Sequence, residues 1–210
     1  MQFDLGLVDF KQSLDFQKDI FSKVKANQIQ GGLILCRHYP VFTCGRNANK
    51  KNILISETEL RKRNIPVYEI ERGGDVTYHG PGQLTVYPVF NLNYLKKDIR
   101  WFLRRLEDVT VNCLVNLGIG AQTRAGLTGV WVKDKKIASI GIAIRNWITF
   151  HGVSMNIKQD DLENFRLIRP CGMDIEMTSV ESELGRDIEV EDLKESMIHN
   201  FAKIGGLKND

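Results

Sequence analysis

The chain has 210 residues, of which 42% are hydrophobic and 26% charged, and its formal net charge is +3. This length favours one domain, and the composition is typical of a globular protein with a substantial core. The mild positive charge is not the concentrated basic stripe of a nucleic-acid-binding protein. No run of 18 apolar residues predicts a transmembrane helix, and the first residues lack the basic start of a signal peptide. Four cysteines without a CxxC pair indicate reduced thiols. We therefore expect a single cytoplasmic domain over residues 1–210, with neither nucleic acid nor membrane as a partner.

The spacing of apolar residues predicts a mixture of strands and helices. The predicted strands are 3–10, 31–45 around a turn at Pro40, 65–72, 83–92, the hairpin 129–146, and 148–157. The predicted helices are 11–27, a short one from a capping box of Ser56 and Glu59 to Arg63, 98–117, and about 190–203. This order predicts an α+β fold, in which a mixed or largely antiparallel sheet has flanking helices on one side.

The segment RGGDVTYHGPGQ, residues 72–83, concentrates four glycines between two predicted strands. The phosphate-binding patterns GxxxxGK[ST] and GxGxxG are both absent from it. Glycine-rich loops of this kind serve either as plain turns or as places where a ligand touches the backbone. The residues alone leave both interpretations open.

The chain contains four patterned segments. They are RGGDVTYHGPGQLTVYPV from residue 72, CRHYPVFTCGRNA (36–48), GVWVKDKKIASIGIAIRNWITFHGVSMNI (129–157), and IRPCGM (168–173) followed by MTSV (177–180). Together they resemble the lipoyl(octanoyl) transferase family. The match is ordered and covers about residues 30–180. The resemblance implies the fold of the biotin and lipoate protein ligase catalytic domains.

The same resemblance implies an activity. The chain is expected to move an octanoyl group from octanoyl-acyl carrier protein to a lysine of lipoyl domains, through a cysteine thioester, as the first step of endogenous protein lipoylation. Its implied acceptors are the lipoyl domains of 2-oxoacid dehydrogenases and the glycine cleavage H protein. Exchange between two thioesters is nearly neutral in free energy and amide formation from a thioester is downhill. We therefore expect the transfer to need neither ATP nor a cofactor.

Two residues are implied as catalytic. An isolated cysteine is most often a buried small hydrophobe, and a lysine in a KDKK turn is most often solvated. The resemblance instead implies that Cys171 accepts the acyl group and that Lys136 is the catalytic lysine. A thiol with a pKa of ~8.5 is mostly protonated at pH 7, so a nearby ammonium group would raise the thiolate fraction. Only the fold can bring these two residues together.

The resemblance also implies the residues that bind the substrate. His79 and His151 are expected to position the substrate or relay a proton, although from the residues alone a purely structural role is as probable. The glycines are expected to let the backbone and the acyl chain lie close together. The full predicted set is Arg72, Gly73, Gly74, Tyr78, His79, Gly80, Ser139, Ile140, Gly141, His151 and Gly152.

Other functions remain open alternatives. An ATP-dependent lipoate ligase would need no nucleophilic cysteine, and a non-catalytic acyl- or lipoyl-binding module would tolerate the loss of Cys171 or Lys136. A zinc site is a third possibility, since Cys36, His38 and Cys44 have a C-x-H-x5-C spacing. We predict no metal, because no fourth ligand is evident nearby.

Several clusters of basic residues are expected to lie on solvated faces. Arg46, Lys50 and Lys51 follow one of the site-forming segments. Acyl carrier proteins and lipoyl domains tend to be acidic, so we expect these three cations to steer docking.

Overall fold

The computed structural model describes residues 1–170 and 174–205. The strands of these residues are β1 (Gln2–Val8), β2 (Gly31–His38), β3 (Val41–Cys44), β4 (Val67–Glu69), β5 (Val76–His79), β6 (Gln83–Phe90), β7 (Ala121–Arg124), β8 (Leu127–Val132), β9 (Lys135–Arg145) and β10 (Ile148–Asn156). The α-helices are α1 (Phe10–Lys25), α2 (Glu57–Lys62), α3 (Ile99–Asn116), α4 (Val180–Leu184) and α5 (Lys194–Ala202). Short 3₁₀ helices cover Lys50–Asn52, Asp160–Leu167 and Val190–Leu193.

The strands form two sheets. Seven strands make a large sheet in the order β1-β2-β6-β10-β9-β8-β7, and three make a small sheet in the order β4-β3-β5. The β1–β2 and β3–β4 pairs are parallel and the other strand pairs are antiparallel. The predicted α+β fold with a mixed sheet is therefore confirmed.

Helices cover both faces of the large sheet, so the expectation that they lie on one side was wrong. On one face, Ile20 and Val24 of α1 pack in a cluster with Ile34 of β2. On the other face, Leu33 and Leu35 of the same strand belong to one hydrophobic cluster with apolar residues of α3 and α5. The reason is visible in β2 itself, because a strand whose two faces are both apolar needs cover on both sides.

Most long elements match their predictions. Helix α1 begins one residue earlier than expected, where the side chain of Asp9 accepts hydrogen bonds from the first turn. Helix α3 and the β8–β9 hairpin lie within a residue or two of the predicted bounds. At α2 the Ser56 hydroxyl accepts from the Glu59 N–H at 3.2 Å, but the Glu59 carboxylate binds Arg63 instead of completing a capping box.

Other predictions of secondary structure were wrong or incomplete. The two strands predicted within 31–45 around Pro40 are present, but they do not pair with each other, because β2 belongs to the large sheet and β3 to the small one. The predicted strand 65–72 shortens to Val67–Glu69, and the last helix starts as a 3₁₀ turn. The prediction missed β5, β7, α4 and the 3₁₀ helix 160–167. Strand β5 lies inside the glycine-rich segment, whose turn residues conceal a four-residue strand.

None of the helices formed by the described residues combines the length and the apolar composition that a membrane-spanning helix needs.

Candidate active site

A cavity of about 530 Å³ lies where the two sheets, the glycine-rich segment and the start of α3 meet. Its walls come mainly from β5, β9, β10 and residues 72–75. It contains most of the predicted site residues, although these come from distant parts of the sequence. The predicted residues that line it are Arg72, Gly73, Gly74, His79, Lys136, Ser139, Ile140, Gly141, His151 and Gly152.

Arg72 is a buried cation on the wall of this cavity. Its Nη2 donates to the Thr43 carbonyl at 2.6 Å and to Thr43 Oγ1 at 3.0 Å, and its Nη1 donates to the Gly73 carbonyl at 3.0 Å. Gly141 allows the side chain to pass, since a Cβ there would lie 3.0 Å from Arg72 Cδ. Arg72 thus fixes the glycine-rich segment between the small sheet and β9.

Backbone hydrogen bonds hold the two glycines that follow Arg72. The Gly73 N–H donates to the Ile142 carbonyl of β9 at 2.9 Å, and the Gly74 carbonyl accepts from the Asn47 N–H at 3.2 Å. Gly74 has a φ of +88°, a conformation that costs other residues energy. At Gly73 an added Cβ would meet no described atom closer than 3.9 Å, so the space beside it belongs to the cavity.

Lys136 is buried, with 5% of its surface exposed. Its side chain crosses Gly129, where an added Cβ would lie 2.6 Å from Lys136 Cε and 3.2 Å from Nζ. The ammonium lies 5.4 Å from the centroid of the Trp131 ring. A lysine that begins a strand next to a turn is commonly solvated, whereas this one points into the protein and lines the cavity.

The segment that follows residues 171–173 pairs with the backbone of Lys136. The Lys136 N–H donates to the Glu176 carbonyl at 2.8 Å, and the Thr178 N–H donates to the Lys136 carbonyl at 3.0 Å. On the other side of this gap, Pro170 lines the cavity. Cys171, the predicted nucleophile, lies outside the described residues, and it follows Pro170 directly in the sequence.

His79 is enclosed by hydrogen-bonding and aromatic groups. Its Nε2 lies 3.3 Å from Thr43 Oγ1 and its Nδ1 lies 3.3 Å from Ser154 Oγ. The ring stacks on Phe10 with centroids 6.1 Å apart. Burial above all, followed by the nearby His38 and Arg72, holds the pKa of His79 well below its usual value. The ring is therefore neutral at pH 7 and acts as a hydrogen-bonding group.

His151 is also neutral in the folded protein. Burial and Arg72 lower its pKa to about 4, against a smaller opposing effect of Glu71, whose carboxylate lies 3.7 Å from Nε2. Its backbone N–H donates to Gln17 Oε1 at 2.9 Å. Its φ of 58° is unusual for a residue other than glycine, and the residue lines the cavity.

The hydroxyl oxygen of Thr77, on the cavity wall, has no hydrogen-bond partner among the described residues. His151 Nε2 also makes no hydrogen bond to them, and the Glu71 carboxylate that faces it lies 3.7 Å away. A buried polar group left without a partner costs about 1–3 kcal/mol, which favours a ligand or water that satisfies it. Sequence reasoning missed Thr77. Alternation along β5 could have found it, since Thr77 and His79 share one face of that strand.

Apolar side chains form another part of the wall. Helix α3 contributes Ile99 and Leu103, and they join Leu127, Ile140 and Val153. Ile99 is 47% exposed although it lines the cavity, so the cavity opens at the start of α3.

Tyr78 and Gly80 lie outside the cavity, in contrast to the expectation. The Tyr78 ring faces the opposite side of β5, where its hydroxyl donates to Asp161 Oδ1 at 2.7 Å and accepts from Asn164 Nδ2 at 3.0 Å. A Cβ on Gly80 would overlap the Asp161 carboxylate and the Tyr78 hydroxyl. The two residues belong to a structural network, because strand alternation separates them from His79.

The three candidate zinc ligands of the sequence analysis do not come together in one site. Cys36 Sγ lies 3.4 Å from His38 Nε2 within β2, whereas Cys44 packs in the core of the small sheet. His38 also contacts Tyr87 and the Val8 carbonyl. Over residues 1–170 and 174–205, no three His, Cys, Asp or Glu side chains are arranged to hold a metal ion.

Two of the predicted docking cations, Arg46 and Lys50, lie in different surroundings. The Arg46 N–H donates to the Arg72 carbonyl at 3.0 Å, so this exposed residue adjoins the glycine-rich segment. Lys50 forms an ion pair with Glu69 at 3.0 Å and lines a different pocket, beside α2. Steering by these residues remains a prediction.

Comparison with solved structures defines the class of fold. A crystal structure of lipoate-protein ligase A bound with ATP superposes with a TM-score of 0.80 at 18% identity, covering 100% of this chain and 87% of the other. The biotin protein ligase of Aquifex aeolicus superposes with a TM-score of 0.54 at 10% identity, covering 97% and 68%. The predicted ligase-like catalytic fold is therefore confirmed.

Sequence comparison then defines the family. The family model of the lipoyl protein ligase A/B catalytic domain matches residues 9–202. An octanoyltransferase of Thermoanaerobacter sp. (strain X514) is 40% identical over 205 residues, which cover 97% of this chain and 89% of the relative. The chain belongs to the lipoyl protein ligase A/B catalytic domain family.

Proposed function

We propose that this chain is an octanoyltransferase, in which residues 1–210 form one catalytic domain. Its donor would be octanoyl-acyl carrier protein, and its acceptor a lysine of a lipoyl domain in 2-oxoacid dehydrogenases or of the glycine cleavage H protein. The observation that carries the proposal is the shared cavity wall of Lys136 and Pro170, the residue before Cys171. The family assignment and the name of the relative support it.

The first half-reaction forms the acyl-enzyme. The Cys171 thiolate attacks the thioester carbonyl of the donor, and the tetrahedral intermediate expels the donor thiolate, which takes up a proton. The Lys136 ammonium is buried beside Trp131 and would favour the thiolate. A new C–S bond forms as another breaks, so no energy source is needed.

The second half-reaction forms the amide. The lysine amine of the acceptor attacks the octanoyl-Cys171 carbonyl, and the Cys171 thiolate leaves. The attacking nitrogen must lose a proton as the new C–N bond forms. In this proposal the Lys136 ammonium donates a proton to the departing Cys171 sulfur and takes up the proton that the attacking nitrogen loses, since the neutral His79 and His151 have strongly depressed pKa values.

The cavity wall supplies complementary binding surfaces for the acyl donor. The apolar side chains Ile99, Leu103 and Ile140 would contact the hydrocarbon chain. The space beside Gly73 lets the chain approach the backbone. Thr77 would meet a polar group of the donor or acceptor, because its buried hydroxyl makes no hydrogen bond to the described residues. His151 Nε2 would do the same, since the Glu71 carboxylate at 3.7 Å is too far for a hydrogen bond.

The proposal is tested by measuring the mass of a purified lipoyl domain after incubation with the protein and octanoyl-acyl carrier protein without ATP. We expect one octanoyl group per lipoyl domain, and no reaction with Cys171→Ser or Lys136→Ala. Variant Lys97→Ala is the control, since Lys97 is exposed and lies outside the cavity wall. Modification that requires ATP and free octanoate would instead indicate a ligase. A complete absence of transfer would indicate a binding module.

A further inference from the structure

A chain of buried hydrogen bonds connects the glycine-rich segment to the backbone of Lys136. Each side chain between Arg72 and the Thr178 carbonyl accepts a hydrogen bond from the group before it and donates one to the group after it. The chain begins where Arg72 Nη2 donates to Thr43 Oγ1, which leaves the Thr43 hydroxyl to donate to His79 Nε2. With Nε2 accepting, the neutral His79 ring carries its proton on Nδ1.

The chain continues through β10. His79 Nδ1 donates to Ser154 Oγ at 3.3 Å, and the Ser154 hydroxyl donates to Gln83 Oε1 at 2.6 Å. Gln83 Nε2 then donates to Asn156 Oδ1 at 3.1 Å. The order of donors and acceptors is consistent throughout, so one arrangement of protons satisfies every link.

Asn156 is the last side chain of this network. Its Nδ2 donates to the Thr178 carbonyl at 3.0 Å, and the Thr178 N–H in turn donates to the Lys136 carbonyl. Asn156, Gln83 and Thr178 are each at most 3% exposed, so water cannot readily replace these bonds. Asn156 is therefore the link between the side-chain network and the segment that pairs with Lys136.

We propose that Asn156 is a positioning residue that holds segment 176–178 in register against Lys136. Without the amide donor, the Thr178 carbonyl would be buried and unsatisfied, and the short pairing with Lys136 would open more often. Among residues 174–205, that pairing is an isolated bridge of two hydrogen bonds outside the strands of the large sheet. The consequence for catalysis rests on the proposed function, since it assumes that Lys136 and Cys171 act together.

The network has a second consequence. Because Arg72 and Asn156 lie at its two ends, a shift of the glycine-rich segment would strain the hydrogen bonds that lead to the Lys136 pairing. We expect Asn156 to affect the rate of the chemical step and not the binding of the donor.

The test compares Asn156→Ala with Asn200→Ala. Asn200 is an equally buried amide whose Nδ2 donates to the Ser196 carbonyl at 2.9 Å, but it lies in α5, outside the cavity wall. Hydrogen–deuterium exchange at the amides of Lys136 and Thr178 reports the pairing without any assay of activity. We expect about five- to tenfold faster exchange in Asn156→Ala, the effect of one net hydrogen bond, and no change in Asn200→Ala.

Kinetics provide the second measurement. A misplaced catalytic group commonly lowers the rate by one to two orders of magnitude, so we expect kcat of Asn156→Ala to fall about 10- to 100-fold with KM within about twofold. Asn200→Ala should keep the wild-type kcat. If Asn156→Ala does not fold, the smaller change Asn156→Ser is measured in the same way.

Unchanged exchange at both amides would overturn the proposal, whatever happens to activity. Faster exchange with an unchanged kcat would overturn the positioning role. If the wild-type protein transfers no octanoyl group, the proposed function fails, and the exchange measurement still decides whether Asn156 holds the segment.

Discussion

Gly129 and Lys136 lie so close across the β8–β9 pair that the lysine side chain occupies the space of a missing Cβ. An added Cβ would lie 2.6 Å from Lys136 Cε. The path of the buried ammonium therefore depends on a glycine in the neighbouring strand.

The variant Gly129→Ala tests this dependence. We expect it to displace Lys136 and to lower kcat for transfer by at least about tenfold, because the methyl group and the Lys136 side chain cannot occupy the same space. Gly129 also has a positive φ of 133°, so strain has to be separated from the clash. Gly118→Ala is the control, since Gly118 has a φ of +84° with no atom within 4 Å of an added Cβ. Gly118→Ala should lose about 1 kcal/mol of unfolding free energy from the positive φ alone. Gly129→Ala should lose more, because its Cβ would also lie 2.8 Å from the Ala138 carbonyl oxygen, and only this variant should lose activity. Equal turnover in the two would contradict the account.

Tyr78 is expected to contribute to the stability of the folded protein and not to the transfer of the octanoyl group. Tyr78→Phe removes the hydroxyl that donates to the partly buried Asp161, which should lower the free energy of unfolding by about 1–2 kcal/mol. Urea unfolding measures that change, and kcat/KM should stay within about twofold. Tyr94→Phe removes a comparable hydrogen bond from a side chain that is 69% exposed, and should change neither quantity. A large loss of kcat/KM in Tyr78→Phe would instead restore Tyr78 to the substrate site.

The buried histidines predict how stability depends on pH. His38 and His151 each have a pKa lowered to about 4 by burial, compared with about 6.5 in the unfolded chain. Between these values the unfolded chain binds more protons, so the free energy of unfolding should fall as the pH falls from 6.5 to 4. The slope for each histidine is up to about 1.4 kcal/mol per pH unit.

His38→Gln should make that slope shallower by the contribution of one histidine. The exposed His199 provides the control His199→Gln, for which the slope should equal that of the wild type. Urea unfolding at several pH values between 4 and 7.5 measures both. A wild-type slope in His38→Gln would show that His38 is not held neutral by the fold.

Leu103 is expected to influence which acyl chain the cavity prefers. The larger ring in Leu103→Trp would fill part of the apolar wall, so kcat/KM should fall more for octanoyl than for butyryl donors. Val115→Trp places the same ring on an exposed position of α3 and should leave the ratio unchanged. The ratio of kcat/KM for the two donors is the measurement. An unchanged ratio in Leu103→Trp would place the acyl chain elsewhere.

The sequence allowed much of this fold to be predicted because its long elements have strong periodicity. Helix α3 and the β8–β9–β10 meander were recognisable from one stripe of apolar residues and from alternation around a KDKK turn. Short elements were not, since four residues such as Val76–His79 carry too little pattern to stand out between glycines. The path from β2 to β3 was also hidden, because nothing local shows that a chain changes sheets at Pro40.

The candidate site was predicted by motif and not by geometry. Motif resemblance named Lys136 and His79, and both line the cavity. It also named Tyr78, because a motif does not say on which face of a strand each residue lies. The contributions of Thr77 and of Asn156 depend on contacts between strands far apart in the sequence, so they became visible only in three dimensions.

The central claim is that Cys171 carries the octanoyl group between donor and acceptor. The most direct measurement is the intact mass of the protein after incubation with octanoyl-acyl carrier protein, without ATP and without a lipoyl domain. The account predicts a gain of one octanoyl group that hydroxylamine removes and that Cys171→Ser abolishes, whereas Cys113→Ser, which changes a buried cysteine of the α3 core, retains it. An unmodified protein that still transfers octanoyl groups to a lipoyl domain, or an adduct that survives in Cys171→Ser, would contradict it.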